Sequence, residues 1–406
     1  MLRINYYISG HGYGHATRSA QLVSALLSAS PTTLVTIITT APSHLFPSSP
    51  RVSFIAQEVD SAIIQPQPYT IDAPASFAKL KTFLASTETP EWRAKTADIL
   101  DQTQCDLVLA DAPYPVAWTS AREKGIKSVL VSNFSFDSIF EQLLTYLPAE
   151  SRGAEKEMVQ KIEKLYATYD YIVRLPGYIP FPFADKYWTV EERARRLIDA
   201  PLVFRPPRTS RSNVLKLLGI PEEFHEHRVL LVQFGGQIVD ATGESTVPQL
   251  PDGWICLSST PVEDPRFFTF PKDVYSPDLV AASNVVLGKI GYGTVSECVG
   301  MNKALIYVIR PMFAEEPGLL RYMEENGVCG EISVADYESG NLPFSTVRVL
   351  NEYPTAKTYK GLLAPSLVGA GSIEKASKAH GQKEHVDVAE ESPRVAQMIG
   401  ALVVQE

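Results

Sequence analysis

The sequence predicts an α/β protein built as two facing domains, each with a parallel sheet covered by helices. Three observations predict it. Short apolar runs alternate with helical periodicity along the chain, the rhythm of βα units. Two glycine-rich segments, one in each half, follow an apolar run and open a helix: Gly10–Arg18 and Gly288–Glu297. A proline- and arginine-rich stretch, Pro201–Arg211, interrupts the rhythm between them and reads as a linker. The expected division is therefore 1–200, a linker at 201–211, and 212–390. A C-terminal helix within 391–406 is expected to pack back on the first domain.

In the first half, strands are expected at Ile4–Ser9, Leu34–Thr39, Val52–Ile55, Leu107–Ala110, Val129–Val131 and Tyr171–Val173. Helical patterns lie between them, at Ala20–Leu27, Phe77–Leu84, Arg93–Gln104, Val116–Lys124 and Ser138–Leu144. In the second half, strands are expected at Val229–Phe234, Trp254–Leu257, Val285–Leu287 and Leu305–Val308. The small, polar segment Ser366–Pro393 reads as a loop, and Arg394–Val404 as the final helix. Open α/β sheets bind ligands at the carboxyl ends of their strands, so two such domains would share a cleft.

The 406 residues are 45% hydrophobic and 20% charged, with a net charge of −9. That charge argues against nucleic acid or an anionic membrane surface as a partner. Peripheral membrane contact is left open. Cys105, Cys256, Cys298 and Cys329 are scattered and form no Cys-x-x-Cys pair, so neither a disulfide framework nor a zinc site is expected. A reducing, cytoplasmic compartment is the expectation. The N-terminus enters a strand directly, without a signal-peptide pattern. No apolar run reaches the ~18 residues of a membrane span.

The second glycine segment reads Gly-Lys-Ile-Gly-Tyr-Gly-Thr-Val-Ser-Glu. Glycines let the backbone approach a ligand, and the N–H groups at a helix start favour an anion. Lys289 supplies a counter-charge, and Glu297 can accept hydrogen bonds from a ribose diol. The competing reading is an ordinary tight βα turn. The first segment, Gly-His-Gly-Tyr-Gly-His-Ala-Thr-Arg, is the first βα turn of a nucleotide-binding-type domain. It is neither a dinucleotide fingerprint nor a Walker A loop.

These residues resemble the GT-B glycosyltransferases, which have two facing Rossmann-like domains and use nucleotide sugars. Lys289–Glu297 falls in frame with the His-Cys-Gly-Trp-Asn-Ser-x-x-Glu signature of plant-type UDP-sugar transferases. Glycine, hydroxyl residue and glutamate are kept; histidine is replaced by Lys289 and asparagine by Gly293. The two glycine segments together with Glu315-Glu316-Pro317 are similar to the glycosyltransferase-like half of L-arabinokinases and its free-standing homologues. A kinase half would need Pro-x-x-x-Gly-Leu-Gly-Ser-Ser. The nearest string, Pro365–Ser372, matches it poorly, so kinase activity is not expected.

The resemblance implies roles. His15 holds the position of the catalytic base, with His11 as its competitor, and a histidine near neutral pKa suits deprotonation of an acceptor hydroxyl. Asp111 ends a strand where such transferases place the aspartate that orients the histidine; a turn or cap aspartate is the alternative. Gly235, Gly236 and Gln237 are expected to contact the donor phosphate or nucleotide. So are Lys289, Gly291, Gly293, Thr294 and Glu297. Glu315 and Glu316 lie where the family's Asp-Gln pair meets sugar hydroxyls, or form a helix N-cap pair. Gly14 and Arg18 are phosphate candidates. His11, Tyr13, Asn133, Phe134 and Asp137 are acceptor candidates. No Asp-x-Asp motif is present, so no metal and no separate cofactor is expected. The expected partners are a nucleotide-sugar donor, with UDP-sugar favoured, and a small-molecule, glycan or lipid acceptor. The expected reaction is an inverting, metal-independent transfer. The alternatives are a non-catalytic nucleotide-sugar binding protein and an epimerase or hydrolase on the same fold.

Overall fold

The computed structural model describes residues 1–66, 70–115, 119–234, 250–271, 273–339 and 391–404. The first sheet holds β1 (Arg3–Ile8), β2 (Leu34–Thr39), β3 (Val52–Ala56), β4 (Leu107–Asp111), β5 (Lys127–Ser132), β6 (Tyr171–Arg174) and β7 (Leu197–Asp199). Its order is β3-β2-β1-β4-β5-β6-β7, and every pairing is parallel. The second sheet holds β8 (Arg228–Gln233), β9 (Trp254–Ser258), β10 (Phe267–Thr269), β11 (Val285–Lys289), β12 (Ala304–Val308) and β13 (Cys329–Ile332). Its order is β10-β9-β8-β11-β12-β13, again wholly parallel.

Both sheets reverse direction once, between β1 and β4 and between β8 and β11. At such a switch point the neighbouring connections leave to opposite sides and open a crevice at the strands' carboxyl ends. The two glycine segments of the sequence follow β1 and β11, one at each switch point.

The first sheet is covered on both faces. Ile4, Tyr6 and Ile8 belong to one apolar cluster and Tyr7 to another, because successive strand residues point to opposite faces. The helices are α1 (Tyr13–Ala29), α2 (Ala73–Thr87), α3 (Pro90–Thr103), α4 (Thr119–Glu123), α5 (Phe136–Leu143), α6 (Arg152–Tyr166), α7 (Pro182–Tyr187) and α8 (Val190–Arg196) in the first half. In the second half they are α9 (Arg211–Leu217), α10 (Ser276–Ala282), α11 (Tyr292–Gly300), α12 (Glu316–Asn326) and α13 (Val334–Glu338). Several start on side-chain caps that the sequence supplies. Asp72 accepts from Ala75 N–H, Thr89 from Trp92 N–H, and Thr189 with Glu192 forms a capping box.

Residues 200–210 carry neither helix nor strand. They are tied to the second half: Arg208 and Thr209 donate backbone N–H groups to Asp278, and Ser210 caps α9. The C-terminal helix Glu391–Val404 lies against α1, with Val395, Ala396, Ile399 and Leu402 buried in the cluster that holds Leu22, Val23 and Leu26.

That docking is measurable. Ile399→Ala removes a fully buried side chain, and such truncations cost about 2–5 kcal/mol. Urea denaturation monitored by far-UV circular dichroism should show a loss of that size. A change under about 0.5 kcal/mol, the range of substitutions outside a core, would place Ile399 outside the core.

Candidate functional site

The site is built on β4 and the first turns of α1. Asp111 is the last residue of β4 and is 1% exposed. Its Oδ1 accepts from His15 Nδ1 at 2.9 Å and from Arg18 Nη2. Its Oδ2 accepts from Arg18 Nε at 2.7 Å and from Ser19 Oγ at 2.8 Å. His15, Arg18 and Ser19 fall within little more than one turn of α1, so three- and four-residue spacing puts them on one face. Burial alone would raise the Asp111 carboxyl; Arg18 and His15 outweigh it and hold it down at about 2. Ala112 follows with φ 73, a left-handed backbone that turns the chain directly after the carboxylate.

The same geometry fixes the tautomer of His15. Arg18 Nη2 also lies 3.0 Å from His15 Nδ1, but one ring nitrogen cannot both donate to a carboxylate and accept from a guanidinium. Asp111 is acceptor-only, so the proton sits on Nδ1, and Arg18 Nη2 spends its hydrogens on Asp111 and Ser132 Oγ. Nε2 is left with the lone pair, and no described residue bonds it. The Phe134 ring meets the His15 ring edge-on at 5.5 Å and limits its rotation.

His11 differs. It is partly exposed, yet its imidazole is held down at about 3 by burial, then by the charges of His15, Lys289 and Lys79. Its Nε2 faces the Gln65 side-chain amide nitrogen at 3.0 Å and accepts from it. The His11 acceptor lone pair is thus occupied, whereas that of His15 is open.

The second glycine segment lies across from the first. His11 feels the Lys289 charge, and the Arg18 guanidinium stacks over the Tyr292 ring at 4.7 Å. α11 begins at Tyr292 with Gly291 as a cap that makes no side-chain bond, so the N–H groups of its first turn have no capping acceptor. A Cβ built on Gly291 would touch Lys289 Cε at 3.9 Å, which puts the lysine stem at this helix start. Burial first, then Arg310, pushes the Lys289 ammonium down to about 8. At Gly14 and Gly293 an added Cβ would meet nothing within 4 Å. Neither has a φ that demands glycine, so open space in front of both loops is what their lack of a side chain preserves.

The structure gives several of the candidate residues partners within the chain. The Arg18 nitrogens are engaged by Asp111, Asn133 and Ser132. Asn133 accepts from Arg18 Nη1 through Oδ1 at 2.5 Å and belongs to the Asp111 network. Asp137 lies inside the first domain, where Oδ2 accepts from Phe183 N–H at the start of α7 and burial pushes its carboxyl up to about 7. Glu316 is paired with Arg310, which also donates to the Ile290 carbonyl; burial pushes this carboxyl up to about 7. Glu315 occupies the cap position of α12 but makes no side-chain capping bond.

Glu297 is 2% exposed and paired with Arg205 from the 200–210 segment, at 2.9 Å from Nε and 2.7 Å from Nη2. Both contacts fall on Oε1. Thr294 is buried in the first turn of α11, and Tyr13 is exposed at the start of α1. Gly235, Gly236 and Gln237 lie outside the described residues, as does Pro365–Ser372. Sequence reasoning missed Ser19, Tyr292, Arg205 and Arg310. Of these, only Ser19 carried a signal, its four-residue spacing from His15. Among the described residues no group of three or more His, Cys, Asp or Glu side chains could hold a metal ion, and no helix is long and apolar enough to cross a membrane.

No protein-family model matches the chain. An L-arabinokinase of Arabidopsis thaliana is 36% identical over 334 residues, which is 80% of this chain and 30% of that protein. The chain thus spans about a third of the curated relative's length. Among solved structures it is similar to Phytolacca americana UGT2, complexed with UDP-2-fluoro-glucose and pterostilbene. That match has a TM-score of 0.60 at 16% identity over the whole of both chains. It is also similar to the calicheamicin glycosyltransferase CalG4 (TM-score 0.54, 14% identity, covering 100% of this chain and 99% of that one). Acinetobacter baumannii MurG aligns at 0.50 and 11% identity, over 98% and 99% of the two chains. The chain has the GT-B fold.

Asp111 anchors this site, and removing its guanidinium partner tests that. Arg18→Met leaves a buried carboxylate with His15 and Ser19 as its hydrogen-bond partners but without its guanidinium, a change that typically costs about 3–5 kcal/mol. Because the folded pKa of Asp111 is depressed from 3.8 to about 2, its contribution is fully present above about pH 4 and fades as pH falls toward 2. Denaturation of the variant at pH 7 should show the loss, and the wild-type/variant gap should narrow toward pH 2. A gap below about 1 kcal/mol at pH 7, the scale of an exposed pair, would show that Asp111 does not depend on Arg18.

Proposed function

We propose that the chain is a glycosyltransferase that moves a sugar from a nucleoside diphosphate sugar, UDP-sugar favoured, to an acceptor hydroxyl with inversion and without a metal. The observation that carries this reading is the His15–Asp111 pair, with Nε2 of His15 open, set opposite the uncapped start of α11 and Lys289. The solved neighbours of the same fold, one of them holding a UDP-sugar analogue, support it.

In this mechanism the donor diphosphate lies against the N–H groups of the first turn of α11, with Lys289 beside it. Glu297 Oε2, which Arg205 does not engage, accepts from the donor ribose. The acceptor oxygen attacks the anomeric carbon from the face opposite the diphosphate. Its proton passes to His15 Nε2 as the new C–O bond forms, and the bond to the diphosphate breaks with its electron pair. Asp111 holds the imidazole in the Nδ1–H tautomer and stabilises the imidazolium that results.

A second reading has an observation of its own. Arg18 already neutralises Asp111, which weakens the anionic support available to a charged His15. A nucleotide-sugar binding protein without transfer activity would tolerate that arrangement, and the relative at 36% identity is an L-arabinokinase. Substitution separates the two. With donor and acceptor identified by a thermal-shift screen of UDP, GDP, ADP and TDP sugars, His15→Ala should cut turnover by about 10²–10⁴-fold and leave donor affinity nearly intact. Unchanged turnover in His15→Ala would sink base catalysis by this residue. No sugar transfer to any acceptor, with donor binding retained, would favour the binding protein.

The donor end makes its own prediction. Lys289, at about 8, is a cation below that pH and loses its charge above it. Affinity for UDP should therefore weaken as pH rises from 7 to 9, by up to about tenfold per unit. Titration calorimetry of Lys289→Met should show a flatter profile. A wild-type affinity that does not change across this range would remove Lys289 from the phosphate site.

A further inference from the structure

Beyond the His15–Asp111 pair, the first domain buries a second carboxylate near the same histidine. Asp60 lies in the loop after β3 and is 3% exposed. Its Oδ1 accepts from Ala62 N–H at 2.9 Å, in a turn where Ala62 takes φ 53. That bond fixes the carboxyl and leaves Oδ2 buried with no partner among the described residues. The Ser9 hydroxyl lies beside the carboxyl, and the His15 charge reaches it. Ser9 is the residue between β1 and the glycine loop, and its Oγ accepts from His11 N–H. Asp60 thus sits at the edge of the loop that presents His15.

Three residues earlier, Gln57 is 4% exposed, and neither Oε1 nor Nε2 of its side chain has a partner among the described residues. Buried polar atoms are nearly always hydrogen-bonded, and an unmet one costs free energy. Three unmet atoms on two side chains of one short loop call for an external partner. The atoms are a carboxylate oxygen, an amide oxygen and an amide nitrogen. Two accept and one donates, the combination that matches neighbouring hydroxyl groups, each of which can do both.

We propose that Gln57 and Asp60 form a hydroxyl-binding subsite beside His15, which holds a sugar or polyol acceptor through hydroxyls next to the one that reacts. The proposal rests on the glycosyl-transfer reading for the identity of the occupant. Burial raises the Asp60 carboxyl; hydroxyl donors to Oδ2 would offset that by solvating its charge. Asp60 touches no reacting atom in this scheme and serves to position and select the acceptor.

The test uses the full-length protein and simple probes: glycerol, myo-inositol, L-arabinose and D-glucose. Binding is read by saturation-transfer NMR and calorimetry with UDP present. At least one polyhydroxylated probe should bind the wild type. Asp60→Asn keeps the oxygen that accepts from Ala62 and replaces the open oxygen by an amide nitrogen. It should weaken that probe by about tenfold or more, the scale of a lost charged hydrogen bond. Gln57→Leu should weaken it too, and it carries the test should Asp60→Asn fail to fold. UDP affinity should be unchanged in both. The subsite is overturned if UDP binds but no probe does, or if the folded variants bind the probe as the wild type does. If a probe binds and the substitutions abolish it while UDP does not bind at all, the subsite stands and the nucleotide-donor reading falls.

Discussion

The structure around the cleft depends on one buried carboxylate. Asp111 at the end of β4 cannot be left bare in an interior where an unpaired charge costs several kcal/mol. Two groups on α1, one arginine and one histidine, meet it, with Ser19 completing the set. Because all three lie on one face of α1, satisfying Asp111 also fixes how that helix sits across the end of the sheet. Arg18 then reaches past the carboxylate to Ser132 at the end of β5 and Asn133 after it, and stacks over Tyr292 at the start of α11. One charge thus sets the position of His15 and of α11, the element that follows the second glycine segment.

In the proposed mechanism the two ends of the site use different chemistry. The acceptor end is made of side chains with directed bonds, His15 to Asp111 and Asp60 to Ala62. The donor end is made of backbone: a strand that stops at Lys289, a glycine cap, and an uncapped helix start. A diphosphate asks for diffuse positive potential, which helix N–H groups and a nearby lysine supply without exact aim. A hydroxyl to be deprotonated asks for one nitrogen in one tautomer. The acceptor end has carboxylates under the histidine, and the donor end has none within its first turn.

Much of this was legible in the sequence. Central strands such as β1, β4 and β11 are continuous apolar runs because both faces are covered, and such runs stand out from amphipathic helices. The edge strands β7, β10 and β13 were missed. They are three or four residues long, and Leu197-Ile198-Asp199 or Cys329-Gly330-Glu331-Ile332 offers no periodicity to read. The His15–Asp111 contact was foreseen through resemblance, since no pattern along the chain links positions 96 residues apart. The partners of Glu297 and Glu316 were not foreseen. Arg205 reaches Glu297 from the 200–210 segment, and Arg310, just after β12, bonds Glu316 at the start of α12. Such pairs form only once the chain has turned, so neither residue type nor motif frame reveals the arginine that meets each glutamate.

Arg18 makes the surroundings of His15 different from those of a simple histidine–aspartate pair. In a simple pair the whole carboxylate charge is available to stabilise an imidazolium. Here the guanidinium shares Oδ1 with His15 and takes Oδ2 as well. The net charge of the three groups is near zero when His15 is neutral and positive when it is protonated. Protonation of His15 would put two cations on one carboxylate. The imbalance is eased if a second negative group lies within reach of the imidazolium. Asp60 is buried near enough for its charge and that of His15 to interact. In the acceptor subsite proposed above, hydroxyl donors to Oδ2 would favour the charged form of a carboxyl that burial raises. Under that reading the arginine that holds the site together and the carboxyl whose charge also reaches His15 carry opposite charges around one imidazole.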